Sequence, residues 1–94
     1  QSFANRQFVI YYQKNKLEHM RLGISVSKKL GKAHERNKLK RYVRESFKTR
    51  KDFLKNYDII IIVRPAAKGL SFLEFGSSID HVLKRSKLYR GKRV

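Results

Sequence analysis

The sequence has 94 residues, of which 40% are hydrophobic, and 24 basic against 7 acidic side chains give it a net charge of +17. This length and composition fit one small domain with a compact core and argue against a disordered chain. The absence of cysteine excludes disulfides and thiolate metal sites and is typical of the reducing cytoplasm, and no apolar run approaches the ~20 residues that span a bilayer. The charge predicts a phosphate-bearing partner, either a nucleic acid or an anionic membrane surface.

Two β-strands are predicted near the start of the chain, at residues 7–12 (QFVIYY) and 19–28 (HMRLGISVSK). Side chains alternate between the two faces of a strand. One set should face a core: Phe8, Ile10, Tyr12, Met20, Leu22, Ile24 and Val26. The opposite set includes small, polar and basic residues, and it should form a sheet face that no helix covers: Val9, Tyr11, His19, Arg21, Gly23, Ser25 and Ser27.

A helix is predicted from about Ala33 to Lys51, where the spacing of apolar residues becomes helical. Its apolar stripe consists of Leu39, Tyr42, Val43 and Phe47. Residues 58–63, DIIIIV, are predicted to form a buried strand. Arg64 and Pro65 should end that strand, because proline has no N–H group for the strand ladder.

A second helix is predicted after Ser71, which forms a capping-box pattern with Glu74. Its inner face should consist of Phe72, Phe75, Ile79, Val82 and Leu83. The basic residues 84–94, KRSKLYRGKRV, are expected to fray. The order β-β-α-β-α predicts an α+β fold, a two-layer α/β sandwich with a mixed sheet, as a single domain over residues 1–94.

The first helix region carries much of the positive charge. The segment Lys28–Lys51 has eleven basic and two acidic residues, a net charge of +9. Spacing of four residues aligns Arg36, Lys40, Arg44 and Lys48 in a ridge about 18 Å long, with Asn37 and Arg41 beside it. Such a run can be a merely solvated helix face, but repulsion between like charges destabilises a helix unless a partner neutralises them. The asymmetry therefore favours a phosphate-binding surface.

The stretch RLGISVSKKLGKAHERNKLKRYVRESF resembles the bacterial ribonuclease P protein component, whose signature is an Arg-Asn-Arg motif followed by further basic residues on a helix. The upstream ANRQFVIYY is similar to the family's early strand, and the resemblance covers essentially the whole chain. Lys38 stands where the family usually has arginine, which keeps the charge but loses a bidentate donor. The resemblance implies a left-handed βαβ crossover, against the general right-handed rule. It also implies an N-terminal helix that would precede Gln1 and that we expect to be missing from this sequence.

The resemblance implies a function in tRNA maturation. The family protein is the small subunit of a ribonucleoprotein that removes the 5′ leader from precursor tRNA, and the RNA subunit carries out the hydrolysis with metal ions. The implied partners are this catalytic RNA and the 5′ leader of precursor tRNA, with no membrane. The holoenzyme is expected to require magnesium, the protein alone is expected to bind no cofactor, and the expected location is the cytoplasm.

The resemblance also implies two binding surfaces on one RNA-binding domain. The RNA subunit is expected to contact Arg36, Asn37, Lys38, Lys40, Arg41, Arg44 and Lys48. The leader is expected to contact Val9, Tyr11, Arg21, Ser25, Ser27, Lys28 and Lys29. The sequence supports ordinary packing of Tyr11 as well as it supports leader binding. It likewise supports simple solvation of Lys28 and Lys29 as well as it supports leader binding.

No catalytic site is predicted in the protein itself. The sequence shows no paired carboxylates at helical spacing, no nucleophile motif and no metal-ligand cluster, and its three histidines, His19, His34 and His81, are scattered. A ribosomal-type RNA-binding protein is an alternative, since it would share the charge and the βαβ unit. A DNA-binding domain and a membrane-surface helix are less well supported, because no second helix precedes the basic one and its apolar stripe is needed for the core.

Overall fold

The computed structural model describes residues 2–86. Its four strands are β1 Ser2–Ala4, β2 Phe8–Lys14, β3 Arg21–Val26 and β4 Tyr57–Val63. Its two α-helices are α1 Ala33–Lys48 and α2 Phe72–Arg85. Short 3₁₀ turns occupy Lys28–Leu30, Lys51–Leu54 and Pro65–Ala67.

The four strands form one mixed sheet in the order β1-β2-β4-β3. Strand β4 pairs antiparallel with β2 and parallel with β3, and α1 connects the two parallel strands. The predicted α+β class and mixed sheet are therefore confirmed. The short edge strand β1, which pairs with β2, was not predicted, and the handedness of the crossover stays a prediction.

Both helices pack on one face of the sheet. Phe3, Ile10, Ile61 and Ile24 follow one another across the four strands on this face. They face the buried side chains of α1 and α2, which belong to the same core cluster. The predicted inward set of β3, which contains Leu22, does pack against this core but is only partly buried, because β3 is an edge strand.

Two predicted elements need correction. Helix α1 ends at Lys48 rather than Lys51, and the chain turns into a 3₁₀ segment at Lys51–Leu54. Strand β4 is not buried on both faces, since Ile59 and Ile61 are buried whereas Ile60 is 51% exposed. The four consecutive isoleucines look alike in the sequence, but in the sheet their side chains alternate between the buried face and the open face.

Helix α2 begins as predicted. The Glu74 backbone N–H donates to the Ser71 hydroxyl at 3.2 Å, and the Ser71 N–H donates to the Glu74 carboxylate at 2.9 Å. The prediction that Phe72 belongs to the inner face is wrong, because this first helical residue is 43% exposed. Lys84 and Arg85 are helical rather than frayed, and the rest of the predicted tail, from residue 87, lies outside the described residues.

An ion pair ties the end of α1 to α2. The Arg50 guanidinium donates through Nη2 to Asp80 Oδ2 at 2.9 Å, and the two side chains are only 17% and 31% exposed. Arg50 also donates to the carbonyl of Ser46 in the last turn of α1. These contacts fix the C-terminal end of α1 against α2.

Candidate nucleic-acid interface

The outer face of α1 is a cationic surface turned away from the core. Four of the predicted RNA-subunit residues are exposed on it: Asn37, Arg41, Arg44 and Lys48. The stripe behind them, which includes Leu39, Val43 and Phe47, is buried. Only Lys48 has an acidic neighbour here, Glu45 at 3.3 Å, and that pair is exposed. This surface can therefore donate several hydrogen bonds to phosphate oxygens without first losing strong partners.

Arg36 and Lys40 lie on one flank of this outer face, and both are half-buried. The Arg36 Nε donates to the carbonyl of Gly31 at 3.2 Å, which fixes the chain just before α1. Arg36 thus has a structural role as well as a place on the predicted ridge. Its Nη groups remain the donors that would reach a phosphate.

Lys38 lies on the opposite flank of α1. Residues two positions apart in an α-helix lie about 160° apart around its axis. Lys38 therefore points to a different side from Arg36 and Lys40. The Lys38 ammonium lies 5.6 Å from the centre of the Tyr42 ring, a cation–π contact. The structure therefore divides the seven predicted residues into an outer face and two flanks, and Lys38 is separated from the ridge.

The helix-free face of the sheet is the second surface. Tyr11, Ile60 and Gly23 are partners across β2, β4 and β3, and Val9, Ile62 and Ser25 form the adjacent row. Tyr11 is 47% exposed and Ile60 51% exposed. Predicted leader residues Val9, Tyr11 and Ser25 are thus brought together around an apolar patch.

Two residues of this patch, Ile60 and Ile62, were missed from the sequence. The DIIIIV run is predicted from the sequence as a buried strand, so no isoleucine was assigned to the open face. The signal that could have found them is the period of two in the flanking strands. Strand β3 has small or polar residues at alternate positions, and these face the open side of the sheet. Alternate positions of β4, paired with them, must face the same side.

Arg21, another predicted leader residue, is engaged at the end of the same face. Its Nε and Nη2 donate to the two carboxylate oxygens of Asp58 at 2.8 and 2.7 Å, and Asn15 donates to Asp58 at 2.8 Å. The hydrogen bonds from Arg21 and then Asn15 lower the pKa of Asp58 to about 2. Arg21 therefore approaches a leader as one half of an ion pair, with reduced net charge.

The turn between β3 and α1 joins the two surfaces. The Ser27 hydroxyl accepts a hydrogen bond from the Lys29 backbone N–H at 3.1 Å, so this predicted leader residue caps the 3₁₀ turn. Lys28 and Lys29 are exposed on the turn. They follow the end of β3 and precede the Arg36 flank of α1, so a polyanion can pass from one surface to the other.

Five of the seven acidic side chains make structural contacts, and the other two, Glu18 and Asp52, are exposed. Asp58 and Asp80 pair with arginines, Glu45 pairs with Lys48, and Glu35 and Glu74 accept backbone N–H groups at the starts of the helices. Within residues 2–86, no three His, Cys, Asp or Glu side chains are grouped so that they could hold a metal ion. The three histidines are exposed and lie in the β2–β3 loop, α1 and α2.

Comparison with known proteins agrees with this geometry. The family model for Ribonuclease P matches residues 1–87. The chain belongs to the ribonuclease P protein family. The ribonuclease P protein component of Staphylococcus epidermidis is 54% identical over 92 residues, which cover 97% of this chain and 80% of that relative.

Two solved structures show how far the likeness extends. The Staphylococcus aureus RNase P protein is 52% identical and superposes with a TM-score of 0.88, over 96% of this chain and 84% of that one. A mutant of the Staphylococcus aureus protein with defective mRNA degradation activity is 55% identical, with a TM-score of 0.86 over 93% of this chain and 75% of that one. Membership places the chain among RNA-binding proteins of tRNA processing. No helix in the described part of this chain has the length and apolarity to cross a membrane.

Proposed function

We propose that this chain is the protein subunit of a ribonuclease P holoenzyme that matures the 5′ ends of tRNA. In this proposal, the outer face of α1 binds the catalytic RNA subunit, and the open sheet face binds the 5′ leader of precursor tRNA. The chain acts in the cytoplasm and has no membrane partner. Family membership supports the general role, and the chemistry of the two surfaces supports the assignment of partners.

The observation that carries the proposal is the exposed cationic face of α1 next to a helix-free sheet face. Arginine and lysine donors at helical spacing fit the phosphates of a structured RNA, since they need no particular base sequence. A half-exposed tyrosine and small residues such as Gly23 fit a single strand, whose unpaired bases stack on aromatic rings. One partner is therefore folded RNA and the other is unpaired RNA.

The proposal assigns the hydrolysis to the RNA subunit. Five of the seven carboxylates pair with arginines, with a lysine or with backbone N–H groups, and within residues 2–86 no three His, Cys, Asp or Glu side chains are grouped so that they could hold a metal ion. Magnesium would therefore be held by RNA phosphates rather than by protein ligands. The protein's own contribution is to bind, neutralise and orient the two RNA molecules.

Reconstitution tests this function directly. The purified chain is added to a bacterial ribonuclease P RNA, and leader removal from precursor tRNA is measured as magnesium is varied. The expected result is that the protein lowers the magnesium concentration needed for half-maximal cleavage. An unchanged magnesium requirement, with the RNA subunit shown to be bound, would contradict the proposal.

The same preparation without RNA subunit supplies the control. We expect no leader removal by the RNA-free protein, and reproducible cleavage would move the chemistry to the protein. Because one Staphylococcus aureus relative is described as a mutant with defective mRNA degradation activity, an mRNA should be assayed beside the precursor tRNA. The alternative of a ribosomal-type protein predicts RNA binding with no effect on leader removal.

A further inference from the structure

A pocket lies on the Lys38 flank of α1, outside both surfaces described above. It has a volume of about 360 Å³ and is formed by the first half of α1 and the loop that leads into α2. This volume is in the range of small-ligand sites, about 300–1,000 Å³. The wall on the α1 side includes Lys38 and Tyr42, and the opposite wall is Lys68, Gly69 and Leu70.

One wall of the pocket is an aromatic ring in a fixed position. The Tyr42 ring makes edge contacts with Phe72 and Phe75, each with ring centres 5.4 Å apart. Leu39 and Leu70 complete the apolar lining. A ring that is held from behind and open to a pocket loses little conformational entropy when a flat ligand stacks on it.

Two lysines and a histidine surround this apolar wall. Lys38 lies over the Tyr42 ring, and His34 and Lys68 line the same pocket. Lys68 and His34 are also close enough to Glu35 to lower the pKa of its carboxyl group, after the larger effect of the hydrogen bond from the Lys32 backbone N–H. The pocket thus combines a flat apolar wall with positive charge at its rim, as a nucleotide requires.

Glu35 adds an acceptor to the pocket. One of its carboxylate oxygens accepts the Lys32 N–H at 2.8 Å, and the carboxylate has further acceptor positions. A base with N–H donors on its Watson–Crick edge satisfies such an acceptor, and guanine offers two neighbouring donors of this kind. Adenine and the pyrimidines present fewer donors to one carboxylate.

We propose that this pocket binds one unpaired nucleotide of the RNA subunit, preferably guanosine, with its base on Tyr42 and its phosphate on Lys68 and Lys38. Stacking of a base is stronger than an exposed cation–π contact, so the base takes the ring and the Lys38 ammonium moves to the phosphate. This inference rests on the proposed function, because it places the nucleotide in the same RNA that binds the outer face of α1. It also gives Lys38 a role that differs from that of the ridge.

The first test uses guanosine 5′-monophosphate as the probe and the full ¹⁵N-labelled chain. Guanosine monophosphate should shift the amide signals of Glu35, Gly69 and Leu70, adenosine monophosphate should bind more weakly, and inorganic phosphate should leave these signals in place. Lys68→Ala should weaken guanosine monophosphate binding about fivefold, the upper end for an exposed ion pair. Lys55→Ala removes the same charge from an exposed position outside the pocket and should have no effect.

The second test measures the affinity of the same two variants for the RNA subunit. Lys68→Ala should weaken it by a similar factor, and Lys55→Ala should not. The proposal is overturned if inorganic phosphate causes the same shifts, if the two variants behave alike, or if Lys68→Ala affects the free nucleotide but not the RNA. In each of these cases the proposed function survives as long as wild-type protein binds the RNA subunit, whereas loss of that binding would overturn the proposed function itself.

Discussion

Tyr11 and Ile60 are directly paired across the antiparallel strands β2 and β4, and both side chains leave the sheet on the face without a helix. Their nearest neighbours in sequence, Tyr12 and Ile59, point to the opposite face and pack in or against the core. Two large side chains, each about half exposed, therefore lie side by side. In the proposed function, this pair is the platform on which an unpaired base of the leader stacks.

Replacing Tyr11 tests this platform. Tyr11→Ala should weaken the binding of precursor tRNA to the assembled enzyme by about 1–3 kcal/mol, the usual contribution of one base stacked on an aromatic ring. Mature tRNA has no leader, so its affinity should stay the same. Both affinities are measured at fixed salt and magnesium.

A neighbouring position supplies the control for Tyr11. Gln13 lies two residues further along β2, is exposed on the same face and has no aromatic ring. Gln13→Ala should therefore change neither affinity by more than a few tenths of a kcal/mol. If Tyr11→Ala affected precursor and mature tRNA equally, Tyr11 would be a packing residue and the leader assignment would be wrong.

Gly23 faces Ile60 from the other side and tests how closely the leader approaches. A Cβ atom on Gly23 would lie 3.5 Å from Ile60 Cγ1, an ordinary contact, so the fold accepts alanine here. Gly23→Ala should raise the free energy of unfolding by about 0.5–1 kcal/mol, because glycine in a strand loses more backbone entropy on folding. The added methyl group should nevertheless weaken precursor tRNA binding selectively. Urea unfolding and the two tRNA affinities, measured on one preparation, separate these effects, and unchanged precursor binding would show that the leader stays away from the backbone at Gly23.

Much of the fold could be predicted because local patterns and tertiary packing agree. The stripe of α1 and the capping box at Ser71 each follow from spacing alone, and the structure confirms them. The prediction fails where one sequence pattern is compatible with more than one local structure. Four consecutive isoleucines fit either a strand buried on both faces or one buried on a single face, and only pairing with β2 and β3 decides which positions are open.

The site was harder to predict than the fold for a similar reason. Helical spacing places Arg36, Arg41 and Lys38 on the same helix, but it does not say which of them have partners. Arg36 donates one hydrogen bond to the Gly31 carbonyl, and Lys38 lies over the Tyr42 ring on the flank of α1 opposite Arg36. The pairing of Arg21 with Asp58 depends on the parallel register of β3 and β4, which no local pattern encodes.

The outer face of α1 should make binding to the RNA subunit depend steeply on salt. Four to six phosphate contacts give a slope of about −3 to −5 in a plot of log affinity against log salt. Arg41→Ala removes one exposed guanidinium and should reduce the magnitude of that slope by about 1, for every RNA sequence alike. Lys55→Ala, an exposed cation in the loop before β4, should leave the slope unchanged. A wild-type slope near zero would exclude phosphate contacts as the source of affinity.

The ion pair between Asp58 and Arg21 should make stability depend on pH in acid. The pKa of Asp58 is about 2 in the folded chain, below the value of about 4 for an unfolded aspartate. Its stabilising contribution is therefore fully present above pH 4 and is lost as the pH falls from about 4 to about 2. The difference in free energy of unfolding between wild type and Asp58→Asn should be largest near pH 6, should become small near pH 2 and should disappear below it, as measured by urea unfolding. Asp52→Asn, which removes an exposed carboxylate from the turn after α1, controls for net charge. If the difference in free energy of unfolding between wild type and Asp58→Asn stayed constant with pH, Asp58 would stabilise the sheet edge by its shape alone.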